Sequence, residues 1–429
     1  MAPHRYVLTP VGSAGDVYPF IGIGRGLQRR RHEVVVITAE PFRAAVEAAG
    51  LAFRAHQSAE DFDRLTKNPD LWHPVRGVEI VLDAAASSLD DAYAAIEAEF
   101  VHGRTTLIGH PLSFASRVFE DATRCPAVTV NLAPAAFRSL HHLPASHPGL
   151  DLSVLPGPLK RALWWMLDRR FADPRILPAL NPFRAERGLD PVRRPLAGWW
   201  FSPQKIVGLF PPWFGPPQPD WPPQLHLTGF LLYDGADHQE MPASLLRFLD
   251  AGPPPLVFTP GSAHRHGRAF FAAAIEATIR LGRRAILQTG YPEEQLPAHL
   301  PDHIHHVAYA PFSLLLPRCT ALIHHGGIGT TAQALAAGIP QLISPMGFDQ
   351  PDNAARLARL GVARWLTPRR FTADRVTDTL AHLIDHPTVR DRCRTWRGRI
   401  DPAAALEATC AAIEDGSPPP SLPPDLLPR

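Results

Sequence analysis

The sequence predicts an α/β protein built from two doubly wound domains, each a parallel sheet with helices on both faces. Three observations predict it. Short apolar runs rich in Val, Ile and Leu, such as "EVVVIT" (33–38) and "ALIHH" (321–325), alternate with helical stretches, the order that parallel βαβ units require. The alternation starts at the amino terminus, stops at a proline-rich segment near the middle, and starts again. The 429 residues also exceed the size at which one core stops growing.

The elements follow in order. "RYVLTPVG" (5–12) is an apolar strand running into a glycine loop, "VYPFIGIGRGLQRRRH" (17–32) a helix beginning near Tyr18 and Pro19, and "EVVVIT" the next strand, an opening βαβ unit. "TTLIGH" (105–110) and "AVTVNL" (127–132) read as further buried strands. The second half repeats the pattern: "PLVFTPGS" (255–262) is strand then loop, "GRAFFAAAIEATIRLG" (267–282) a helix stopped at Gly282, and "RAILQTG", "IHHVAYAP", "TALIHHGG" and "PQLISP" are strands with their loops. The 48 prolines cluster in two places, "PPWFGPPQPDWPP" (211–223) and "GSPPPSLPPDLLPR" (416–429). Proline lacks an amide hydrogen and fixes φ, so neither is helix or central strand. The expected organisation is a first domain over 1–210, a linker over 211–235, a second domain over 236–415 and a tail over 416–429.

Charge and cysteine usage narrow the function. Lys+Arg 43 against Asp+Glu 41 leaves +2, with basic residues in short groups such as Arg29 to Arg31, which argues against nucleic acid as a partner. Cys125, Cys319, Cys393 and Cys410 lie far apart without metal-ligand spacing, as suits a reducing compartment. "MAPHRYVLTPVGSAGD" carries no charged segment before an apolar core, and no apolar run approaches ~18 residues. The expectation is a cytoplasmic protein.

The chemistry gathers in "ALIHHGGIGTTAQALAAGIPQLISP" (321–345): strand, glycine turn, short helix, Gly338 as stop, strand. A glycine turn feeding a helix start presents free amides and the positive end of the helix dipole, a site for an anion such as phosphate. Thr330 and Thr331 offer hydroxyls and His324 a ring donor. The same loop also suits a plain tight turn with capping Thr and buried histidines. No Walker lysine is present, so nucleoside triphosphate hydrolysis is not expected. Beyond it, Asp349 and Gln350 precede a helix on the same sheet rim, placed either to bind a polyhydroxylated group or, for Asp349, merely to cap.

These residues carry a resemblance. "HHGGIGTTAQALAAGIPQLISPMGFDQPDNAARL" (324–357) resembles the donor-binding signature of family 1 glycosyltransferases of the GT-B fold, and "GSAGDVYPFIGIGRGLQRRRHEVVVIT" (12–38) resembles their amino-terminal opening. "SPQKIVGLFPPWFGPPQPDWP", "LHLTGFLLYDG" and "VAYAPFSLLLP" are similar to the rhamnosyltransferases of bacterial rhamnolipid synthesis. The resemblance implies two Rossmann-like domains facing each other across a cleft, and an inverting, metal-independent transferase without a cofactor. It implies transfer of a hexose or deoxyhexose, rhamnose included, from a dTDP- or UDP-sugar to a hydroxyl of a lipophilic acceptor such as a hydroxy fatty acid. An acceptor of that kind would bring the protein to the inner face of the membrane as a peripheral partner.

Residue by residue, the resemblance implies that His324 contacts the donor diphosphate together with Gly326, Gly327, Gly329 and Thr330. Asp349 and Gln350 would bind the hexose, Tyr309 would stack on the base, and Gly261 and Ser262 would close on the diphosphate. Asp16 would be the base that deprotonates the acceptor; as an N-cap it would have a plain structural role instead. An unperturbed carboxyl near pKa 4 is too acidic for that task, so burial must raise it. Two departures concern the nucleoside. Ala332 stands eight residues after His324, where many relatives carry a ribose-binding glutamate, and Phe312 replaces a glutamine; the first favours a deoxyribose nucleotide. Trp72, Trp164, Trp165, Trp199 and Trp200 concentrate aromatics in the first half, as lining for an acyl chain or as core.

Other signals are weaker. "DFD" (61–63) has the spacing of metal-dependent transferases but sits in a polar helical stretch, and the histidines around His264 and His303 read as surface residues. Two rival functions share parts of the pattern. A dinucleotide-dependent oxidoreductase would want G-x-G-x-x-G where the chain has "GSAG". A sugar-nucleotide epimerase shares the whole fold, as does a glucosyltransferase acting on sterols or other hydrophobic natural products.

Overall fold

The structure, a computed structural model, describes residues 4–415, so the tail read at 416–429 lies outside the described residues. Strands β1 (Arg5–Thr9), β2 (Glu33–Ala39), β3 (Ala52–Gln57), β4 (Thr105–Gly109), β5 (Ala127–Asn131), β6 (Ile206–Gly208) and β7 (Leu225–Leu227) form one sheet, ordered β3-β2-β1-β4-β5-β6-β7. Strands β8 (Leu256–Thr259), β9 (Ala285–Gln288), β10 (Ile304–Val307), β11 (Ala321–His324), β12 (Gln341–Ile343) and β13 (Ala363–Trp365) form the other, ordered β10-β9-β8-β11-β12-β13. All neighbours pair in parallel. The two doubly wound domains expected from the sequence are therefore present. β4, β5, β8, β9 and β11 are buried along their whole length, which is why none of them carries a Lys, Arg, Asp or Glu.

The proline-rich stretch is not the linker that its composition suggests. It joins β6 to β7 within the first sheet, and Phe210, Phe214 and Trp221 around it are buried. Proline is tolerated here because β7 is an edge strand and the connection outside it needs no ladder bonds. The chain crosses between domains only after β7. The carboxy-terminal helix (Pro402–Glu414) also departs from the expected boundary, since Cys410 and Ile413 sit in the first domain's core. Lys205 Nζ donates to the Ala412 carbonyl at 2.8 Å, and Arg30 pairs with Glu407 and Glu414.

Helix α1 (Ala14–Arg29) starts earlier than the sequence suggested, with Asp16 inside its first turn. Three of its glycines each admit a different neighbour. A methyl group at Gly22 would lie 2.9 Å from Tyr233 Cβ in the crossing segment; at Gly24 it would lie 2.8 Å from Leu51 Cδ1; at Gly26 it would lie 2.6 Å from Cys410 Sγ. One helix is thereby clamped by the sheet, the crossing and the returning carboxy-terminal helix.

The domains share an apolar seam in which Phe137, Phe201, Phe214 and Phe230 meet Ala332, Leu335, Ala354 and Leu357. Each fully buried large side chain contributes about 1.5–3 kcal/mol. Beside the seam Asp352 accepts from Ala145 N–H (3.1 Å) and from Arg356 Nε (2.6 Å), while Arg356 Nη1 donates to the Phe214 carbonyl (3.0 Å). The second domain's Gln350–Leu360 helix is thus tied to backbone of the first.

In an open helix interior Gly→Ala stabilises by about 1 kcal/mol. At Gly26 the contact with Cys410 reverses the sign: Gly26→Ala should destabilise by about 1–3 kcal/mol in urea unfolding.

Candidate active site

The amino termini of two helices meet across the interdomain cleft. One is α1; the other is the helix Ile328–Ala337 that follows the glycine turn after β11. A methyl group at Gly329 would lie 3.9 Å from the Gly15 carbonyl oxygen. That carbonyl lacks its usual helical partner because residue 19 is proline.

Asp16 folds back on the loop that starts α1. Its Oδ2 accepts from Ser13 N–H (2.8 Å) and from the Ser13 hydroxyl (3.2 Å), the return arm of a capping box. Gly12 makes this possible, with φ +133° and its α-carbon so close to the carboxyl that a methyl group would clash with Asp16 Oδ2. Neither bond uses Oδ1, and the side chain keeps partial access to the cleft. Enclosure by the cleft walls raises its pKa to about 6, against the opposing pull of the Ser13 bonds. Capping and an elevated basicity therefore coexist in one carboxyl.

The glycine turn divides its two histidines. His324 is fully buried; its Nδ1 accepts from Gly326 N–H (3.1 Å), so Nε2 carries the proton and donates to Gln341 Oε1 (2.9 Å). Both ring nitrogens are thus engaged inside the protein, and the sequence expectation that this histidine meets the diphosphate does not fit its position. His325 keeps partial access. Its ring lies against Gly261 and Gly327, where methyl groups would sit 2.9 Å from Cε1 and 2.5 Å from Nε2, and its Nδ1 has no partner. Burial lowers the pKa of His324 to about 4 and of His325 to about 3. Both rings are neutral at pH 7, so positive potential at the turn comes from the helix dipole rather than from imidazolium.

Hydrogen bonding in the Ile328–Ala337 helix starts with Thr331 N–H on the Gly327 carbonyl (2.9 Å), leaving the amides of Ile328, Gly329 and Thr330 directed out of the first turn. Thr330 keeps partial access, whereas Thr331 is fully buried. Counting from His325 also changes the nucleoside argument: the residue eight positions on becomes the buried Gln333 instead of Ala332. The missing polar side chain that favoured deoxyribose is then no longer missing.

Asp349 faces Asp16 from the second domain. It does not cap its helix; its Oδ2 accepts from Asn353 Nδ2 (2.7 Å), which also donates to the Gly326 carbonyl (3.0 Å). Asn353, which the sequence did not single out, so ties the carboxylate to the glycine turn. Burial raises the Asp349 pKa to about 7; the Asn353 bond opposes this and the negative charge of Asp16 adds to it. Gln350 Oε1 accepts from Met346 N–H (2.8 Å) and Gly347 N–H (3.3 Å), so it shapes the loop that carries Asp349.

The first domain covers this loop. Trp72 meets His264 edge to face at 5.6 Å and Phe348 at 5.9 Å. Phe348 has φ +58°, a strained setting for a bulky side chain, of order 1–3 kcal/mol. The indole N–H of Trp72 and Nδ1 of His264 are buried without partners, like His325 Nδ1. His264 is buried rather than on the surface, and Asp63 of "DFD" pairs with Arg265 across the domains rather than facing only solvent. These contacts escape sequence reading because they join residues nearly 200 or more positions apart.

The remaining candidates are scattered. Gly261 lies beside His325 with φ +100°, and Ser262 is exposed. The Tyr309 hydroxyl donates to the Asp234 carbonyl (2.7 Å) in the crossing segment. Trp199 Nε1 donates to Asp121 Oδ2 (2.9 Å) with Arg117 and Arg184 over its ring, and Trp200 packs on Phe201. These two belong to the packing of the first domain. Arg138 lies over Trp164 at 4.8 Å, while Trp165 is exposed.

A pair of substitutions separates the histidines. His325→Ala should weaken nucleoside diphosphate binding by roughly tenfold in calorimetric titration with little change in unfolding midpoint. His324→Ala should mainly destabilise the fold, by about 1–3 kcal/mol, because it leaves the Gln341 amide oxygen and the Gly326 N–H unpaired.

Comparison with known proteins gives a match in each domain. Residues 6–119 match the glycosyltransferase family 28 N-terminal domain, and residues 274–404 match the C-terminal domain described as erythromycin biosynthesis protein CIII-like. The chain is 32% identical to an O-mycaminosyltylonolide 6-deoxyallosyltransferase of Streptomyces fradiae, over 96% of this chain and 97% of the relative. It is 26% identical to a sterol 3-beta-glucosyltransferase of Arabidopsis thaliana, over 89% of this chain and 61% of the relative. The solved structure of spinosyn rhamnosyltransferase complexed with thymidine diphosphate matches with a TM-score of 0.67 at 21% identity, covering 95% of this chain and 100% of that one. The calicheamicin glycosyltransferase matches at 0.68 and 20%, covering 96% and 99%; at such identities the likeness shows the fold. These relatives support neither the epimerase alternative nor the rhamnolipid branch in particular. With a matched segment in each domain and 32% identity along nearly its whole length, the chain belongs to the GT-B glycosyltransferases of the erythromycin-CIII-like type.

Proposed function

We propose that this glycosyltransferase inverts the anomeric centre as it moves a hexose or deoxyhexose from a nucleoside diphosphate to a hydroxyl of a lipophilic acceptor. The observation that carries this reading is the facing of Asp16, its pKa raised to about 6, against the open amides of the Ile328–Ala337 helix across one cleft. Asp16 takes the proton of the acceptor hydroxyl as that oxygen attacks the anomeric carbon. The bond to the diphosphate breaks on the opposite side, and the leaving oxygens settle on the amides of Ile328 to Thr330, the Thr330 hydroxyl and the His325 ring. No step in this scheme uses a metal ion. Asp349 and the amide of Gln350 receive the sugar hydroxyls, and the half-buried ring of Tyr309 receives the base.

A deoxyhexose is the preferred sugar, carried on dTDP or UDP. The 6-deoxyallosyltransferase relative favours a deoxyhexose, and the apolar edge formed by Trp72 and Phe348 suits a sugar lacking a hydroxyl. The sterol glucosyltransferase relative favours a second reading, a UDP-glucose donor with a sterol-like acceptor. The hydroxy fatty acid expected from the sequence resemblance is one lipophilic acceptor among these. Incubation with dTDP- and UDP-sugars and acceptors of graded lipophilicity tests the proposal. Donor turnover without any acceptor would count against it.

Two outcomes are expected for Asp16. Asp16→Asn should lower kcat/KM by about 10²–10⁴-fold while donor binding stays within about threefold. A carboxylate base acts when deprotonated, so kcat/KM in the wild type should rise with pH through about 6 and level off above it.

A further inference from the structure

An exposed apolar face stands on the first domain, outside the cleft chemistry. Of the eleven large hydrophobic side chains exposed among the described residues, five fall between positions 150 and 166. They are Leu150 (48% exposed), Val154 (81%), Leu159 (55%), Trp165 (55%) and Met166 (49%). The last three lie on the helix Gly157–Leu167, where the seven-residue spacing of Leu159 and Met166 puts them on one side and Trp165 stands next to Met166. An amphipathic helix normally buries such a stripe; here it is the polar contacts that face the protein. Lys160 is buried with Nζ on the Leu140 carbonyl (2.7 Å), and Asp168, just past the helix end, is buried between Arg138 (2.6 Å) and Arg194 (2.7 Å). Leu163, Trp164 and Leu167 are half-buried, while Leu159, Trp165 and Met166 are left facing outward.

The charges beside this stripe have one sign. Arg161, Arg169 and Arg170 are exposed, and none forms an ion pair among the described residues. Of the nearby acids, Asp168 is engaged as above, Asp151 accepts from Ser153 N–H (2.8 Å), and Asp173 is buried within the electrostatic reach of Arg169. Trp, Met, Leu and Val projecting between unpaired arginines are the composition of a surface that inserts at a lipid headgroup boundary. A protein partner would equally cover apolar area, but three exposed guanidiniums outside any ion pair among the described residues favour an anionic surface.

We propose that the Val154–Arg170 face docks this protein onto anionic lipid bilayers as a peripheral, interfacial contact. The proposal stands on this face alone and does not depend on the reaction assigned above. No helix is long and apolar enough to cross a membrane among the described residues, so the contact is one of lying on the surface. Docking there would place the acceptor-binding domain against the phase in which a lipophilic acceptor dissolves.

Flotation of the whole protein with vesicles tests this. Vesicles of phosphatidylcholine containing about one third phosphatidylglycerol should carry the protein upward at low salt, with binding at least tenfold weaker on pure phosphatidylcholine. Reversing the three arginines together (Arg161→Glu, Arg169→Glu, Arg170→Glu) should weaken binding on the order of 100-fold. Leu159→Glu with Met166→Glu, both exposed and folding-neutral, should weaken it at least tenfold and gives a second, independent variant. The proposal is overturned if the wild type does not float, if it binds neutral vesicles equally well, or if both variants float like the wild type. A concentration-dependent dimer that Met166→Glu dissociates would also overturn it, since a second copy would then cover the face.

Discussion

The site depends on bringing two carboxyls from different domains into one enclosed space. Asp16 and Asp349 each lose hydration in the cleft, and the charge of Asp16 further resists the ionisation of Asp349. In water two such groups would be ionised at neutral pH and neither would serve as a base of useful strength. The enclosure is maintained by the apolar seam, by the Asp352–Arg356 pair on first-domain backbone, and by the clamp on α1. Loosening any of these would admit water and return both carboxyls toward ordinary acidity.

Local backbone chemistry then aims the groups. Gly12 lets Asp16 fold back to Ser13, and proline at position 19 frees the Gly15 carbonyl toward the glycine turn. On the other side Asn353 couples Asp349 to Gly326, so this carboxylate and the glycine turn are held together. The neutral histidines matter as well. A site whose attraction for phosphate rests on amide dipoles keeps that attraction across the pH range in which Asp16 ionises.

Much of this was legible in the sequence, and the exceptions have physical reasons. Buried parallel strands announce themselves as continuous apolar runs, so β1, β2, β4, β5 and the strands from β8 to β12 were readable. β3 was not, because it is a largely polar edge strand, and β6, β7 and β13 have only three residues each. Proline density says which structures a segment cannot form; it does not say to which sheet edge the segment returns, and the linker was misplaced for that reason. The histidine pair was singled out within the loop, yet the side on which each ring falls depends on Gln341 and Gly261, well away along the chain. Trp72, His264 and Asn353 acquire their roles only through tertiary contact.

The account stands or falls on the acidity of the two facing carboxyls. Carboxyl carbon-13 titration of the unliganded protein, assigned with Asp16→Asn and Asp349→Asn, measures it directly. The predicted result is a coupled pair with midpoints near 6 and 7, in which neutralising Asp16 lowers the midpoint of Asp349. Two independent titrations near the ordinary value of about 4 would contradict the account.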